Sequence, residues 1–270
     1  MRPLSIPDDI QNYWTNEFDV NKLAQETKDL YQKLLKGHPD ATIVIPAYNE
    51  EKTIVRTLNS ICKNVTSYSI EIIVINNNSK DKTSTLVESC GIKCILEEQQ
   101  GIKFARNCGL THAKGRFIIN ADADTIYPRN WIHALIEPLD KIKGAAVTYG
   151  RYAFLPEKGT KRLTYFFYES VADISRRLNR YFKDEAVNVY GCCSAFRKQH
   201  ALQVDGYEHP PGATEDGYLA LKLRNSGFGK LFYVKKALVW TTDRRIHIDG
   251  GLWVGALKRL NELLGVISQL

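Results

Sequence analysis

Residues 41–76, ATIVIPAYNEEKTIVRTLNSICKNVTSYSIEIIVIN, read as strand, loop, helix and strand. ATIVIPAY is a short run rich in β-branched residues and broken by a proline. EKTIVRTLNSICKN, residues 51–64, returns Ile54, Leu58 and Ile61 at helical spacing, and IEIIVIN, residues 70–76, is an apolar run suited to a strand buried on both faces. The alternation continues outward, with a helix predicted over Ser79 to Glu88, a strand at IKCIL (92–96), a helix over Ile102 to His112 and a strand at RFIIN (116–120). Repeated strand and helix units imply an α/β fold, a mostly parallel sheet flanked by helices on both faces. In such sheets ligands bind beyond the carboxyl ends of the strands, which directs attention to the loops after Ile45, Ile75 and Asn120.

The flanks are less regular. Residues 8–36 carry Tyr13, Trp14, Leu23, Leu30, Leu34 and Leu35 among polar neighbours, which predicts a helical appendage ended by Gly37, His38 and Pro39. Past Pro128 the pattern loosens. From Lys161 to Phe182 one stripe holds Leu163, Phe167, Val171, Ile174, Leu178 and Tyr181, which reads as a helix packed on the sheet or as one lying on a membrane surface. The segment from Trp253 to Leu270 is amphipathic in the same way.

Of the 270 residues, 44% are hydrophobic and 25% charged, which excludes disorder and supports a large core. No apolar run reaches the ~18–20 residues of a membrane-spanning helix, and no repeat or low-complexity segment occurs. The formal charge of +7 favours anionic partners without choosing among them. Six cysteines in no disulfide or zinc spacing point to a reducing cytoplasm. No secretory leader is expected from MRPLSIPDDIQNYW, so the Asn-x-Thr triplet at Asn64 reads as chance.

Neither G-x-G-x-x-G nor the P-loop signature is present, which argues against a dinucleotide dehydrogenase or a P-loop NTPase. After the strand RFIIN stands Asp122-Ala123-Asp124 instead. At a strand end the turning backbone can aim both carboxylates into one cleft, where they suit a hard divalent cation shared with phosphate oxygens. Taken alone, the pair also fits a solvated turn.

In chain order stand PAYNEE from Pro46, INNNSKDKT from Ile75, GIKFARN from Gly101, NADADTIYP from Asn120 and TEDGYLALKLRNSGF from Thr214. Together they resemble the family 2 glycosyltransferases, enzymes of the Rossmann-like GT-A fold that use nucleotide-diphosphate sugars, over about residues 41–236. The resemblance implies that Pro46, Ala47, Tyr48 and Glu50 frame the nucleotide and that Arg106 lies near the donor sugar or diphosphate. It places Asn77 where the family usually has an Asp reading the uracil edge; the amide suits uracil or guanine alike. It makes Asp124 the ligand of Mn²⁺ or Mg²⁺, sets Asp122 toward the ribose and the metal's hydration shell, and gives Asp216 the role of general base with Glu215 beside it. Thr214, Glu215 and Asp216 also suit the start of a helix. Arg244, Arg245 and His247 are further candidates for the diphosphate or the metal shell.

The implied activity is inverting transfer of a sugar, with a UDP-sugar favoured, to a hydroxyl of a glycan or lipid-linked acceptor in polysaccharide or glycan synthesis. A metal-dependent nucleotidyltransferase is the closest enzymatic alternative, and a non-catalytic basic module for nucleic acid or acidic glycans the alternative of another class; no nucleic-acid partner is expected. The expected organisation is an N-terminal helical appendage at 1–39, a catalytic domain at 40–250 and a C-terminal amphipathic helix at 251–270. The catalytic domain divides into a nucleotide-sugar half (about 40–130) and an acceptor half (131–250). Seven basic residues and one acid between Lys222 and Arg245, interleaved with aromatics, add an expected contact with an anionic membrane at its inner face.

Overall fold

A computed structural model describes residues 2–156, 160–182, 184–248, 251 and 254. Apart from 251 and 254, the expected C-terminal helix lies outside the described residues.

Two helices, α1 (Asp8–Thr15) and α2 (Val20–Leu34), precede the first strand. The alternation then runs β1 (Ala41–Ala47), α3 (Ile54–Cys62), β2 (Ile70–Asn76), α4 (Thr83–Ser89), β3 (Lys93–Leu96), α5 (Ile102–His112) and β4 (Phe117–Asn120). After it come β5 (Thr125–Ile126), α6 (Trp131–Lys141), β6 (Ala145–Leu155), α7 (Arg162–Phe182), β7 (Ser194–Arg197), α8 (Lys198–Gln203), α9 (Glu215–Asn225), β8 (Lys230–Thr242) and α10 (Arg244–Ile248). The strands form one eight-stranded sheet in the order β3-β2-β1-β4-β7-β6-β8-β5. Strands β3, β2, β1 and β4 pair in parallel, β7 is antiparallel to both its neighbours, β6 and β8 are parallel, and β5 is antiparallel to β8.

The period of two along each strand sorts its side chains between two cores. Ile43 and Ile45 of β1, Ile72 and Val74 of β2, and Phe117 and Ile119 of β4 face one core with Leu23 of α2, Leu58 of α3 and Leu135 of α6. Val44, Ile73, Ile75 and Ile118 face the other, against Ala105 and Leu110 of α5 and Leu219 and Leu223 of α9. Complete burial of a side chain such as Leu58 contributes roughly 1.5–3 kcal/mol. Helix α2 is bound into this layer, since the Tyr31 hydroxyl accepts a hydrogen bond from Ile72 N at 3.1 Å.

Two predicted helices start late. Helix α3 begins at Ile54 rather than near Glu51, and α4 at Thr83 rather than Ser79, because residues 49–51 and 79–83 are tied to one another. Asn49 N donates to Ser79 Oγ (3.0 Å), Lys80 N to Asn49 Oδ1 (2.8 Å), Glu50 N to Thr83 Oγ1 (2.8 Å) and Glu51 N to Asp81 Oδ2 (3.1 Å). Asn49 and Asn78 take left-handed backbone angles, which asparagine tolerates well.

Helix α7 is turned opposite to the packing its apolar stripe predicts. Leu163, Phe167, Val171 and Ile174 are exposed, while Tyr165 and Glu169 on the opposite face are buried. That inner face is held by ions: Glu169 pairs with Arg162 and Arg2, and Asp173 with Arg2 and Arg151. Paired and hydrogen-bonded, these groups tolerate burial that an isolated charge would not. No helix among the described residues is long and apolar enough to cross a membrane.

Candidate active site

The carboxyl ends of β1, β2 and β4 open onto a cleft of ≈ 410 Å³. Of the residues expected to frame a nucleotide, Pro46, Ala47, Tyr48, Glu50, Asn77 and Asp122 all line it, together with Asp124 and Arg244. A second cleft of ≈ 350 Å³ holds Glu215 and Asp216. The two share Ile102, Asp122 and Asp124. The acidic pair thus stands where the clefts meet, and residues far apart in sequence surround one point.

The backbone of the acidic loop is fixed from beneath. Asp122 N donates to the Tyr127 hydroxyl at 2.8 Å, and Thr57 Oγ1 donates to the Ala123 carbonyl at 2.9 Å. Burial pushes the Tyr127 phenol well above its ordinary range, so it stays neutral in this position.

Arg106 sits behind this loop, not in the first cleft. It is fully buried, donating from Nη1 to the carbonyls of Val44 (3.2 Å) and Ala121 (3.3 Å) and from Nη2 to Asp122 Oδ1 and the Gly191 carbonyl (both 3.0 Å). Its Nη1 and Nη2 hydrogens staple the ends of β1 and β4 to the Gly191 turn, and it lines the second cleft beside Asp122 and Asp124. Burial disfavours its charge, but Asp216 and then Asp122 more than offset that, so its pKa lies above the ordinary value. Gly191 makes this approach possible, since a Cβ there would lie 2.5 Å from Arg106 Nη2 and 2.4 Å from Asp216 Oδ2.

Asp216 lies in the first turn of α9 and is aimed by polar neighbours. Asn120, the last residue of β4, donates from Nδ2 to Asp216 Oδ1 at 3.0 Å, while its Oδ1 accepts from the Tyr207 hydroxyl at 2.6 Å. The second bond fixes which way the Asn120 amide faces. The Tyr207 and Asn120 contributions went unread in the sequence, although Asn120 lies inside a quoted motif. Glu215 stands beside His209, with 3.9 Å between Nε2 and Oε1.

Arg244 closes the first cleft from the far end of the chain. Its guanidinium pairs with Glu50, with Nη1 to Oε2 at 3.1 Å, and reaches Asp124 Oδ2 from Nη2 at 3.2 Å. Thr242 Oγ1 also donates to Asp124 Oδ2, at 2.8 Å. Burial, the largest influence, raises the Glu50 carboxyl above its ordinary value even though Arg244 opposes the shift. His247, a candidate for the metal shell, is turned elsewhere: its Nε2 lies 3.2 Å from Asp243 Oδ2, and neither cleft includes it. The Arg245 side chain lies outside the described residues.

Asn77 is spent on its own loop. Its Nδ2 donates to the carbonyls of Glu97 (3.1 Å) and Gln99 (2.8 Å), and its Oδ1 accepts from Gly101 N (2.8 Å). Both amide hydrogens are therefore used in holding residues 97–101 against the cleft, an arrangement its expected base-reading role did not anticipate.

No group of three or more His, Cys, Asp or Glu side chains converges as a closed metal cage among the described residues. Two carboxylates at a cleft junction nevertheless fit a hard cation that takes one or two protein oxygens and completes its sphere from phosphates and water.

The profile of glycosyl transferase family 2 matches residues 42–204. Glycosyltransferase GlyA of Streptococcus pneumoniae is 25% identical over 210 residues, covering 73% of this chain and 30% of that protein. The chain spans about a third of the length of the curated relatives it matches. Among solved structures, the mannosyltransferase PcManGT of Pyrobaculum calidifontis, in complex with GDP-Man and Mn²⁺, superposes with a TM-score of 0.56 at 18% identity, covering 82% of this chain and 68% of that one. Glucosyl-3-phosphoglycerate synthase of Mycobacterium tuberculosis, in complex with Mn²⁺, UDP and phosphoglyceric acid, gives 0.58 at 18% identity, covering 91% and 82%. These likenesses carry the fold, and the expected GT-A architecture is the one observed.

Proposed function

Because the chain belongs to glycosyl transferase family 2, we propose that it transfers a sugar from a nucleotide-diphosphate donor to an acceptor hydroxyl, with inversion at the anomeric carbon. The observation that carries this reading is the sharing of Asp122 and Asp124 by two clefts, with Asp216 in the second. A donor in the first cleft and an acceptor in the second meet at the acidic pair.

In this reading the first cleft takes the nucleotide along Pro46, Ala47 and Tyr48, with a uridine donor favoured. Asp124, with Asp122 beside it, would hold Mn²⁺ or Mg²⁺, which when bound supplies positive charge against the departing diphosphate. Arg244 adds its own charge to the same region. Asp216, oriented by Asn120, accepts the acceptor's hydroxyl proton as that oxygen attacks the anomeric carbon opposite the leaving group. Arg106 stays fixed and keeps Asp122 and Asp216 at their stations. The acceptor is a glycan or a lipid-linked sugar, and the setting is polysaccharide or glycan synthesis at the cytoplasmic side of a membrane.

The test is product analysis on a panel of nucleotide sugars with Mn²⁺ and candidate acceptors. Free nucleoside diphosphate is the expected product. Release of pyrophosphate from nucleoside triphosphates would assign the site to nucleotidyl transfer instead.

A further inference from the structure

A third cavity, of ≈ 220 Å³, shares no residue with either cleft and lies between α7, β6 and β8. Arg151, Arg176, Arg177, Arg180 and Lys235 line it, and Asp173 is the single carboxylate in its wall. Asp173 is already shared: it pairs with Arg2, which is buried behind the cavity, as well as with Arg151 and Arg176. Of the acids just outside the wall, Glu185 is committed to Arg180 and to the Tyr149 hydroxyl, and Glu169 to Arg162 and Arg2. At the rim, Arg177 and Lys235 are exposed and make no hydrogen bond or ion pair with any described residue.

We infer that this cavity is a binding site for a phosphoryl group, separate from the donor and acceptor clefts. Buried cations in excess of their carboxylates are costly unless an anion joins them. Burial lowers the pKa of Arg151 and Arg176, and the Arg2 charge adds to the effect in both. A phosphoryl group matches the need in charge and in shape, because planar guanidinia grip its oxygens in pairs and Lys235 adds a point charge. The volume leaves room for the phosphate and a small substituent. Arg176 is placed for this by its guanidinium lying 5.8 Å from the centre of the Tyr233 ring. The same group is offered by a soluble phosphomonoester and by the headgroup of phosphatidic acid; the outward apolar stripe of α7 runs along the same helix as Arg177.

Thermal unfolding in inorganic phosphate, at ionic strength held constant with chloride, tests the site. Wild-type protein is expected to show a saturable rise in Tm, which persists in Arg244→Gln, where the first cleft has lost its cation. In the double variant Arg177→Gln, Lys235→Gln the apparent Kd is expected to weaken about ten- to a hundredfold, as the loss of charge-assisted hydrogen bonds predicts. A second arm uses phosphatidylcholine vesicles with and without phosphatidic acid. Sedimentation with the acidic vesicles that free phosphate competes away assigns the lipid headgroup; a phosphate response without sedimentation assigns a soluble ligand. The inference is overturned if wild-type protein shows no saturable response, if the double variant responds as wild type does, or if Arg244→Gln alone abolishes the response.

Discussion

Arg244 Nη2 lies 3.2 Å from Asp124 Oδ2 although 120 residues separate them in the chain. The carboxylate proposed to hold the cation thus already faces a positive side chain of the protein. Arg244 also binds Glu50, so one guanidinium joins the loop after β1 to the acidic loop after β4.

That arrangement predicts opposite effects on two ligands from one substitution. In Arg244→Gln, Mn²⁺ alone should bind more tightly, because Asp124 no longer has a competing cation. Nucleoside diphosphate should bind about ten- to a hundredfold more weakly, through loss of a charged donor. Calorimetric titration of each ligand separately checks both. Unchanged Mn²⁺ affinity would show that Arg244 does not compete at Asp124.

Asp216→Asn keeps the shape of the side chain and removes its capacity to take a proton. Turnover per folded molecule is expected to fall by about 10² to 10⁴-fold with donor affinity near that of wild type, while the melting temperature falls because buried Arg106 loses a compensating charge. Nucleoside diphosphate release and melting are measured on the same preparation. Near-normal turnover transfers the base role to another residue, and Glu215 is the next to replace.

Asn77→Asp restores the residue type usual in the family, yet it is expected to destabilise the protein. The carboxylate keeps the bond from Gly101 N but faces the Glu97 and Gln99 carbonyls with no hydrogen to give. Leaving these acceptors unmatched costs about 1–3 kcal/mol. Urea unfolding measures the difference, and a variant as stable as wild type would show that residues 97–101 are held by other contacts.

The Glu50 carboxyl has a folded pKa above its ordinary value of 4.5. It therefore binds its proton more tightly in the native state, and its stabilising contribution is complete below 4.5 and lost as pH rises through the raised native value. Glu50→Gln carries no such titration. The melting temperature of the variant relative to wild type should climb as pH increases across that window, and a difference independent of pH would contradict the assignment.

Local pattern made half of this fold readable. IEIIVIN and RFIIN announce buried strands because they are short, apolar and rich in β-branched residues, and β2 and β4 sit where they fall. The acidic pair was visible for a similar reason, since its two carboxylates stand only two positions apart. The orientation of α7 was not, because its inner face is settled by ion pairs with partners such as Arg2, 171 residues from Asp173. The stapling role of Arg106 was hidden for the same cause. Its place in a helix is visible in sequence, but the carbonyls of Val44, Ala121 and Gly191 that absorb its hydrogens come together only in space.

Gly191 has no side chain, yet it constrains how this protein can diverge. The absent methyl leaves the space in which Arg106 and Asp216 both stand, so a larger residue there displaces the strut beneath Asp122 and the carboxylate proposed as base in a single event. The two halves cannot drift independently across that turn. In related chains, a side chain at this position is expected to arrive together with changes at Arg106 and Asp216, a signature of coupled inheritance that is visible in sequences alone.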